Sequence, residues 1–451
     1  MILGRTDSRG RLIFLLLVFV LFAGALVARL GWWQIARRDD LAASAQRQIY
    51  LRTEVPAVRG AIYDRSGTVV LAASVSRDRL TANPKRLSTA NREALISLLT
   101  DKLGLDAAAV ADLRVRLTST QSYVVIAKDL PTDQTDDIVT EARLQGIGGL
   151  GVEASQIRSY PQPGGGPQTS LAAHLIGFAN REGSGQYGIE RYYQDELAGT
   201  PTIIESDRDA NGQAVQETEH IVSAGTPGAD LSLTIDTGLQ LALEQEVMAA
   251  WVADKARSVS AVVMDPYTGA IVAEATYPSY DANHYGSVAT TDPGRFVDPI
   301  ISEVYEPGSV FKLLTVIAGL ETKSVTLDSK INDTGTLKLD NGKARIADAD
   351  FKAMGVLSLA DAIAYSRNVV ASKVALGLAP TTQAAATILH EVWTRLGFGT
   401  RSGIDVSGEV GGILRDPAER TWREIDLANG SFGQGVAVTV LQLATAYSAM
   451  V

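Results

Sequence analysis

The stretch Tyr305-Glu306-Pro307-Gly308-Ser309-Val310-Phe311-Lys312-Leu313-Leu314-Thr315-Val316-Ile317 reads as the start of a helix. Pro307-Gly308 marks the start, and apolar residues at 310, 313, 314 and 317 fall on one face. Ser309 then lies in the first turn, where free N–H groups and the helix dipole favour negative charge. Lys312, three residues on, shares its face. A serine hydroxyl becomes a useful nucleophile only when a base takes its proton. A lysine, with an ordinary pKa of about 10.4, serves as that base only where burial or a nearby positive charge lowers it. Four residues are a weak pattern by themselves, and an ordinary amphipathic helix with a polar first turn reads the same way.

Ser366-Arg367-Asn368 interrupts two apolar, helix-compatible stretches, Leu359 to Tyr365 and Val369 to Leu378. Such a tripeptide is either a solvent loop or a turn aimed into a site. In the second case Ser366 relays protons beside Lys312, and Asn368 offers an amide to a peptide substrate. No other Ser-x-x-Lys or Ser-x-Asn occurs in the chain.

Around this pair the chain has an ordinary globular balance, 46% apolar and 20% charged, and its length suggests about three domains. The formal charge of -10 argues against nucleic acid as a partner. The absence of cysteine excludes disulfides and thiol catalysis, and His174, His220, His284 and His390 stand alone, without metal-ligand spacing. Neither a metal nor a cofactor is expected.

Leu12 to Ala28 is uncharged and has no polar face, so it does not read as a core helix. The small residues Ala23-Gly24-Ala25 lie inside the apolar run rather than after it, which favours an uncleaved membrane anchor over a signal peptide. Arginines flank it on both sides, so charge alone does not orient it. Beyond the anchor, residues 34–50 are helix-compatible and Leu51 to Val58 reads as strand. Ala61 to Tyr63 and Val69 to Leu71 read as a hairpin about Asp64-Arg65-Ser66-Gly67. Ala107 to Leu117 and Asp133 to Leu144 carry helical spacing. Pro161 to Pro167 is expected to be an exposed loop, and Asn211-Gly212 a hairpin turn. After a boundary at Thr226-Pro227-Gly228, Asp230 to Ile235 reads as strand and Gly238 to Ala256 as helix. Two β-rich runs, 260–264 and 270–273, flank a turn at 265–269. From Ser309 onward the chain reads as mostly helix broken by glycine loops.

In this order, Ser309-x-x-Lys312 and then Ser366-x-Asn368 resemble the penicillin-binding and serine β-lactamase superfamily. Flanking segments narrow the resemblance to the class B penicillin-binding proteins. They are Asp265-Pro266 with Thr268-Gly269, the approach Tyr305 to Gly308, Gly397-Phe398-Gly399, Gly403-Ile404-Asp405, and Ser431-Phe432-Gly433-Gln434-Gly435 with Thr439 and Gln442. Arg59-Gly60 with Asp64-Arg65 and Gly67, and Gly188-Ile189-Glu190, are similar to motifs of that family's non-catalytic module.

The resemblance implies an α+β fold in four parts: a cytoplasmic tail at 1–11, a transmembrane anchor at 12–31, a β-rich dimerisation or pedestal module at 45–225, and a β-lactamase-like transpeptidase domain at 226–451. It implies a peptidoglycan D,D-transpeptidase on the outer side of a bacterial membrane. Ser309 attacks the D-Ala-D-Ala of a stem peptide, Lys312 takes its proton, the Ser309 amide forms half of an oxyanion hole, and Ser366 and Asn368 complete the site. β-Lactams become covalent inhibitors, and a membrane glycosyltransferase becomes a partner. The family's third motif, Lys-[Thr/Ser]-Gly, does not occur in the chain, which stops inside the apolar run Leu441 to Met450. A chain truncated at its carboxyl end is therefore expected. The alternatives are a non-catalytic scaffold of the wall-synthesis complex and a β-lactamase or β-lactam sensor.

Overall fold

The computed structural model describes residues 8–41, 50–207 and 216–451. The chain forms two compact units, Met1–Ala57 with Gly199–Pro227, and Val58–Ala198 with Gly228–Val451. In the first unit, helix α1 (Ser8–Gly31) runs on into a wider turn, Trp32–Ala36. Together they give a 28-residue apolar stretch, Arg9–Ala36, long enough to cross a bilayer. Its leucines, valines and phenylalanines are exposed. The guanidinium groups of Arg29 and Arg37 lie 5.7 and 5.4 Å from the Trp33 ring centre, capping the apolar run with cation–π contacts. The same unit holds an antiparallel sheet. In it β1 (Tyr50–Val55) pairs with a strand far along the chain, Thr202–Asp207, which in turn pairs with His220–Ser223. The turn expected at Asn211-Gly212 lies outside the described residues.

The second unit begins with β2 (Ile62–Tyr63) and the long β3 (Val70–Ala82), antiparallel as the hairpin reading required. Helices α2 (Thr89–Leu103) and α3 (Ala107–Leu117), strand β4 (Val124–Leu130), α4 (Thr132–Leu144) and β5 (Leu150–Ser159) follow. Strands β4 and β5 both pair with β3. The three helices bury Leu95, Leu99, Leu113, Leu117 and Ile138 around Leu80 of β3, because their apolar residues recur at helical spacing.

One buried polar knot ties this module together. Glu190 is fully buried, and its two oxygens take the Nε groups of Arg59 and Arg158, each at 2.7 Å. Arg59 also reaches the Glu190 carbonyl, and Arg158 the Gly60 carbonyl, both at 2.8 Å. In the Pro161–Pro167 loop the three prolines are exposed as read, but Gln162 and Gly164–Gly166 are half-buried. Glu244 holds the loop, accepting from Gly165 N and Ala172 N at 2.7 Å each. Proline and glycine content forecast the irregular backbone but not this carboxylate partner.

Taking the two strands of the first unit as β6 (Thr202–Asp207) and β7 (His220–Ser223), the chain continues with β8 (Leu231–Ser232), parallel to β2, and α5 (Thr237–Asp254). The hairpin β9 (Val259–Met264) and β10 (Ile271–Tyr277) then forms as read. Gln240 on α5 clips the helix to β10, donating to Glu274 O at 2.6 Å and accepting from Glu274 N at 2.9 Å.

The segment after Ser309 departs from the sequence reading. Helix α6 (Lys312–Glu321) is followed by four short strands, β11 (Lys330–Asp333), β12 (Thr336–Leu339), β13 (Ala344–Ala347) and β14 (Gly355–Ser358). They form two ribbons, β11 with β14 and β12 with β13. Each strand has four residues, too short for two-residue alternation to stand out. The Asn341-Gly342 turn between β12 and β13, with both residues at positive φ, was the available signal. Helices α7 (Leu359–Ala364), α8 (Asn368–Leu376), α9 (Thr382–Arg395), α10 (Glu424–Gly430) and α11 (Val440–Ser448) complete the unit.

Removing Glu190 strands two buried guanidinium groups. Glu190→Ala should therefore lower the unfolding free energy by about 3–5 kcal/mol in urea titrations.

Candidate active site

Ser309 sits in a single tight helical turn, Gly308–Phe311, that feeds directly into α6. The helix forms as read, but its buried face is turned by about one residue from the stripe at 310, 313, 314 and 317. Val310 is exposed, Leu313 and Ile317 are half-buried, and of those four only Leu314 is fully buried. Phe311, Leu314 and Ala318 are fully buried against Leu389, Trp393 and Phe398. The Phe311 ring centre lies 4.9 Å from that of Phe398 and 5.5 Å from that of Trp393. With that stripe fixed, Lys312 is turned inward while Ser309 stays exposed.

Lys312 is 2% exposed, and its amine has three oxygen acceptors. Nζ donates to Ser309 Oγ at 3.0 Å, to Ser366 Oγ at 2.8 Å and to the Ser366 carbonyl at 2.6 Å. An ammonium ion has three donors and fills all three. A neutral amine has two donors and one lone pair. It keeps both contacts to Ser366 and turns its lone pair to the Ser309 hydroxyl. Proton transfer from Ser309 thus needs no rearrangement. Burial drives the Lys312 pKa down to about 8; Asp348 pulls it back up, and Arg367 pushes it further down.

Ser366 meets the lysine through a left-handed backbone conformation, φ +53°, which costs a non-glycine residue roughly 1–2 kcal/mol. The turn is locked from both sides, Ser366 N bonding to Ile363 O and Arg367 N to Ala362 O at 2.9 Å each. Asn368 opens α8, and its side-chain amide donates to the Ala347 carbonyl at 2.9 Å. Three of the four residues singled out in the sequence, Ser309, Lys312 and Ser366, thus meet within hydrogen-bond distance. The fourth makes no hydrogen bond to them.

A second segment holds the nucleophile's turn. Thr315 Oγ1 bonds to Ser431 O at 2.8 Å, Gly308 N to Gly433 O at 3.1 Å, and Gly435 N to Glu306 Oε1 at 2.8 Å. Glu306, exposed as it is, therefore acts as a strut for the loop. Arg367 and Asp348, which act on the lysine, and Asp333, which pairs with Arg367, were missed in the sequence. The signal for Arg367 was its place between Ser366 and Asn368; its partners lie in the unforeseen ribbons. The 420 Å³ cavity of this unit lies elsewhere, lined by Leu233, Met264, Ile404 and Leu441 among others.

The transpeptidase-domain model of penicillin binding proteins matches residues 259–451, and the penicillin-binding protein dimerisation-domain model matches 54–233. The chain is 29% identical over 446 residues to the probable peptidoglycan D,D-transpeptidase PenA of Neisseria meningitidis, covering 98% of this chain and 71% of that one. It is 29% identical over 433 residues to the peptidoglycan D,D-transpeptidase FtsI of Escherichia coli, covering 94% and 67%. Penicillin binding protein 2X from Streptococcus thermophilus has the same fold, with a TM-score of 0.69 at 24% identity. The match covers 89% of this chain, which spans 59% of the length of that structure. This chain belongs to the class B penicillin-binding proteins, a family of peptidoglycan D,D-transpeptidases.

A Cβ on Gly433, which sits at φ +75°, would come within 2.4 Å of Gly308 O, whereas one on Gly435, at φ +74°, would meet nothing within 4 Å. Gly435→Ala should cost only backbone strain, roughly 1 kcal/mol. Gly433→Ala should cost roughly 1–3 kcal/mol more from the clash, as read by urea unfolding of the two variants.

Proposed function

We infer that this protein cross-links peptidoglycan through an acyl-enzyme on Ser309. The observation that carries this reading is the Lys312 amine, buried and held 3.0 Å from Ser309 Oγ and 2.8 Å from Ser366 Oγ. Neutral Lys312 takes the Ser309 proton as Oγ attacks the penultimate D-alanine carbonyl of a stem peptide. The C–N bond then breaks, and D-alanine leaves as the amine, taking a proton relayed through Lys312 and Ser366. An amine of a neighbouring stem attacks the ester, forming the new amide and returning the proton to Ser309. A β-lactam ring amide enters by the same first step, its C–N bond opening while the acyl group stays on Ser309. Backbone N–H groups at the start of the serine's helix favour the developing oxyanion.

The remaining assignments follow from the family. Residues 45–225 serve as the non-catalytic module and 226–451 as the transpeptidase domain, with Asn368 at the substrate. The Arg9–Ala36 helix anchors the protein in the membrane, with the catalytic domain on the outer side. There its substrate is glycan carrying D-Ala-D-Ala stems, supplied by a membrane glycosyltransferase.

Bacterial membranes carrying the protein, expressed from its own reading frame, should give a fluorescent-penicillin band that Ser309→Ala removes. Loss of a nucleophile lowers acylation by several orders of magnitude. Undiminished labelling of Ser309→Ala would reject the assignment.

A further inference from the structure

Arg367, the middle residue of the Ser366–Asn368 turn, carries a permanent charge yet is only 5% exposed. Its guanidinium is engaged on every edge. Nε meets Asp333 Oδ2 at 2.8 Å, Nη2 meets Asp348 Oδ2 at 3.3 Å, and Nη1 meets Asp350 Oδ1 at 3.1 Å. It also donates to the Lys352 carbonyl. Asp333 and Asp348 are buried, and Asp350 lies at the surface. Asp333 ends β11, while Asp348 and Asp350 follow β13, so the two ribbons converge on this one residue. Each buried aspartate is fixed in turn. Asp333 accepts from Gly335 N at 2.9 Å and Met354 N at 3.1 Å, and Asp348 from Val369 N at 3.2 Å.

A turn facing solvent needs none of this. As a source of stability, a buried arginine with two buried aspartates does no better than apolar side chains of the same volume. The arrangement does supply two other things. It fixes the strained Ser366, whose carbonyl and hydroxyl are two of the three acceptors on Lys312. It also sets a permanent cation near an amine that has to lose its own charge. The ionisable groups facing Lys312 are Arg367 and Asp348. On the helices packed against α6, Asp361 is held by Ser358, Lys373 by the Asn332 carbonyl, and Arg395 by Glu321 of α6.

We propose that Arg367, braced by Asp333 and Asp348, is a positioning residue for acyl transfer, fixing Ser366 against Lys312 and keeping a cation beside the amine that must give up its proton. This rests on the reading of Ser309 as the nucleophile. Asp348 is the stronger of the lysine's two charged neighbours and pulls the Lys312 pKa up, and Arg367 opposes it by pushing the pKa down. Of the two aspartates, burial and its partner raise Asp348, while hydrogen bonds and Arg367 hold Asp333 low.

The test is the rate of fluorescent-penicillin acylation against pH in the membrane-anchored protein, with thermal unfolding followed in parallel. Only neutral Lys312 accepts the proton, so the parent rate should climb through a pH of about 8. Arg367→Met should move that climb to higher pH and slow acylation at neutral pH at least about tenfold. Arg367→Lys should restore the position of the climb but not the full rate, since an ammonium cannot bridge three aspartates. Asp348→Asn should move the climb to lower pH. A parental pH profile in Arg367→Met or Asp348→Asn, or shifts of the same sign in both, overturns the proposal. If Arg367→Met does not fold, Asp348→Asn and Arg367→Lys decide by the same criteria. If the parent itself is not acylated at Ser309, the nucleophile assignment has failed, and that is seen before any variant is compared.

Discussion

A lysine almost sealed from water, with two serines around its amine, is the arrangement on which the rest of this structure depends. In water Lys312 would hold its proton and Ser309 would be an ordinary hydroxyl. Burial removes much of the lysine's reason to stay charged, and the three acceptors around Nζ suit either protonation state. Everything nearby keeps that amine dry and those oxygens in place. The Phe311–Leu314–Ala318 stripe sinks α6 into an aromatic core and carries Lys312 with it. The Ser431–Gly435 segment stitches the serine's turn to the same core. The Ser366 backbone is held in a conformation its side chain disfavours.

Strain, burial of charge and close backbone approach meet at this place. Each is unfavourable alone, and each is fixed by surroundings that over-determine it. The amino-terminal module uses the same device more simply: one carboxylate, Glu190, satisfies two arginines from distant parts of the chain. In both places a fork-shaped guanidinium meets buried carboxylates through two or more of its nitrogens.

Much of this was legible in the sequence because it rests on local patterning. The apolar spacing after Ser309 indicated the helix, and three-residue separation put Lys312 beside the serine. The hairpins at 61–71 and 259–277 and the long helices of the amino-terminal module were legible for the same reason. The buried face of the serine's helix centres on Phe311, Leu314 and Ala318 rather than on 310, 313, 314 and 317, because the packing partners Leu389, Trp393 and Phe398 come from distant segments. What escaped was set by distant partners. Four-residue strands between 330 and 358 carry too little periodicity to declare themselves, and with them went Asp333 and Asp348. Arg367 stood in plain view inside the Ser-x-Asn pattern, but its burial depends on those strands. The Pro161–Pro167 loop was read as exposed because the partner that holds its glycines, Glu244, is contributed from elsewhere. Asn368 was read as offering its amide to a peptide substrate; its amide nitrogen also donates to the Ala347 carbonyl at the end of β13, a contact set by the unforeseen ribbons.

Acyl transfer from Ser309 depends on the protonation state of Lys312. Its titration can be followed directly by NMR of ¹³C-labelled lysine side chains, with Lys312→Arg assigning the signal. A midpoint near 8 is predicted, set by burial and by the Arg367–Asp348 pair. A midpoint at the ordinary lysine value of 10.5 would mean that the amine is as charged as any surface lysine at neutral pH and cannot serve as the base for Ser309.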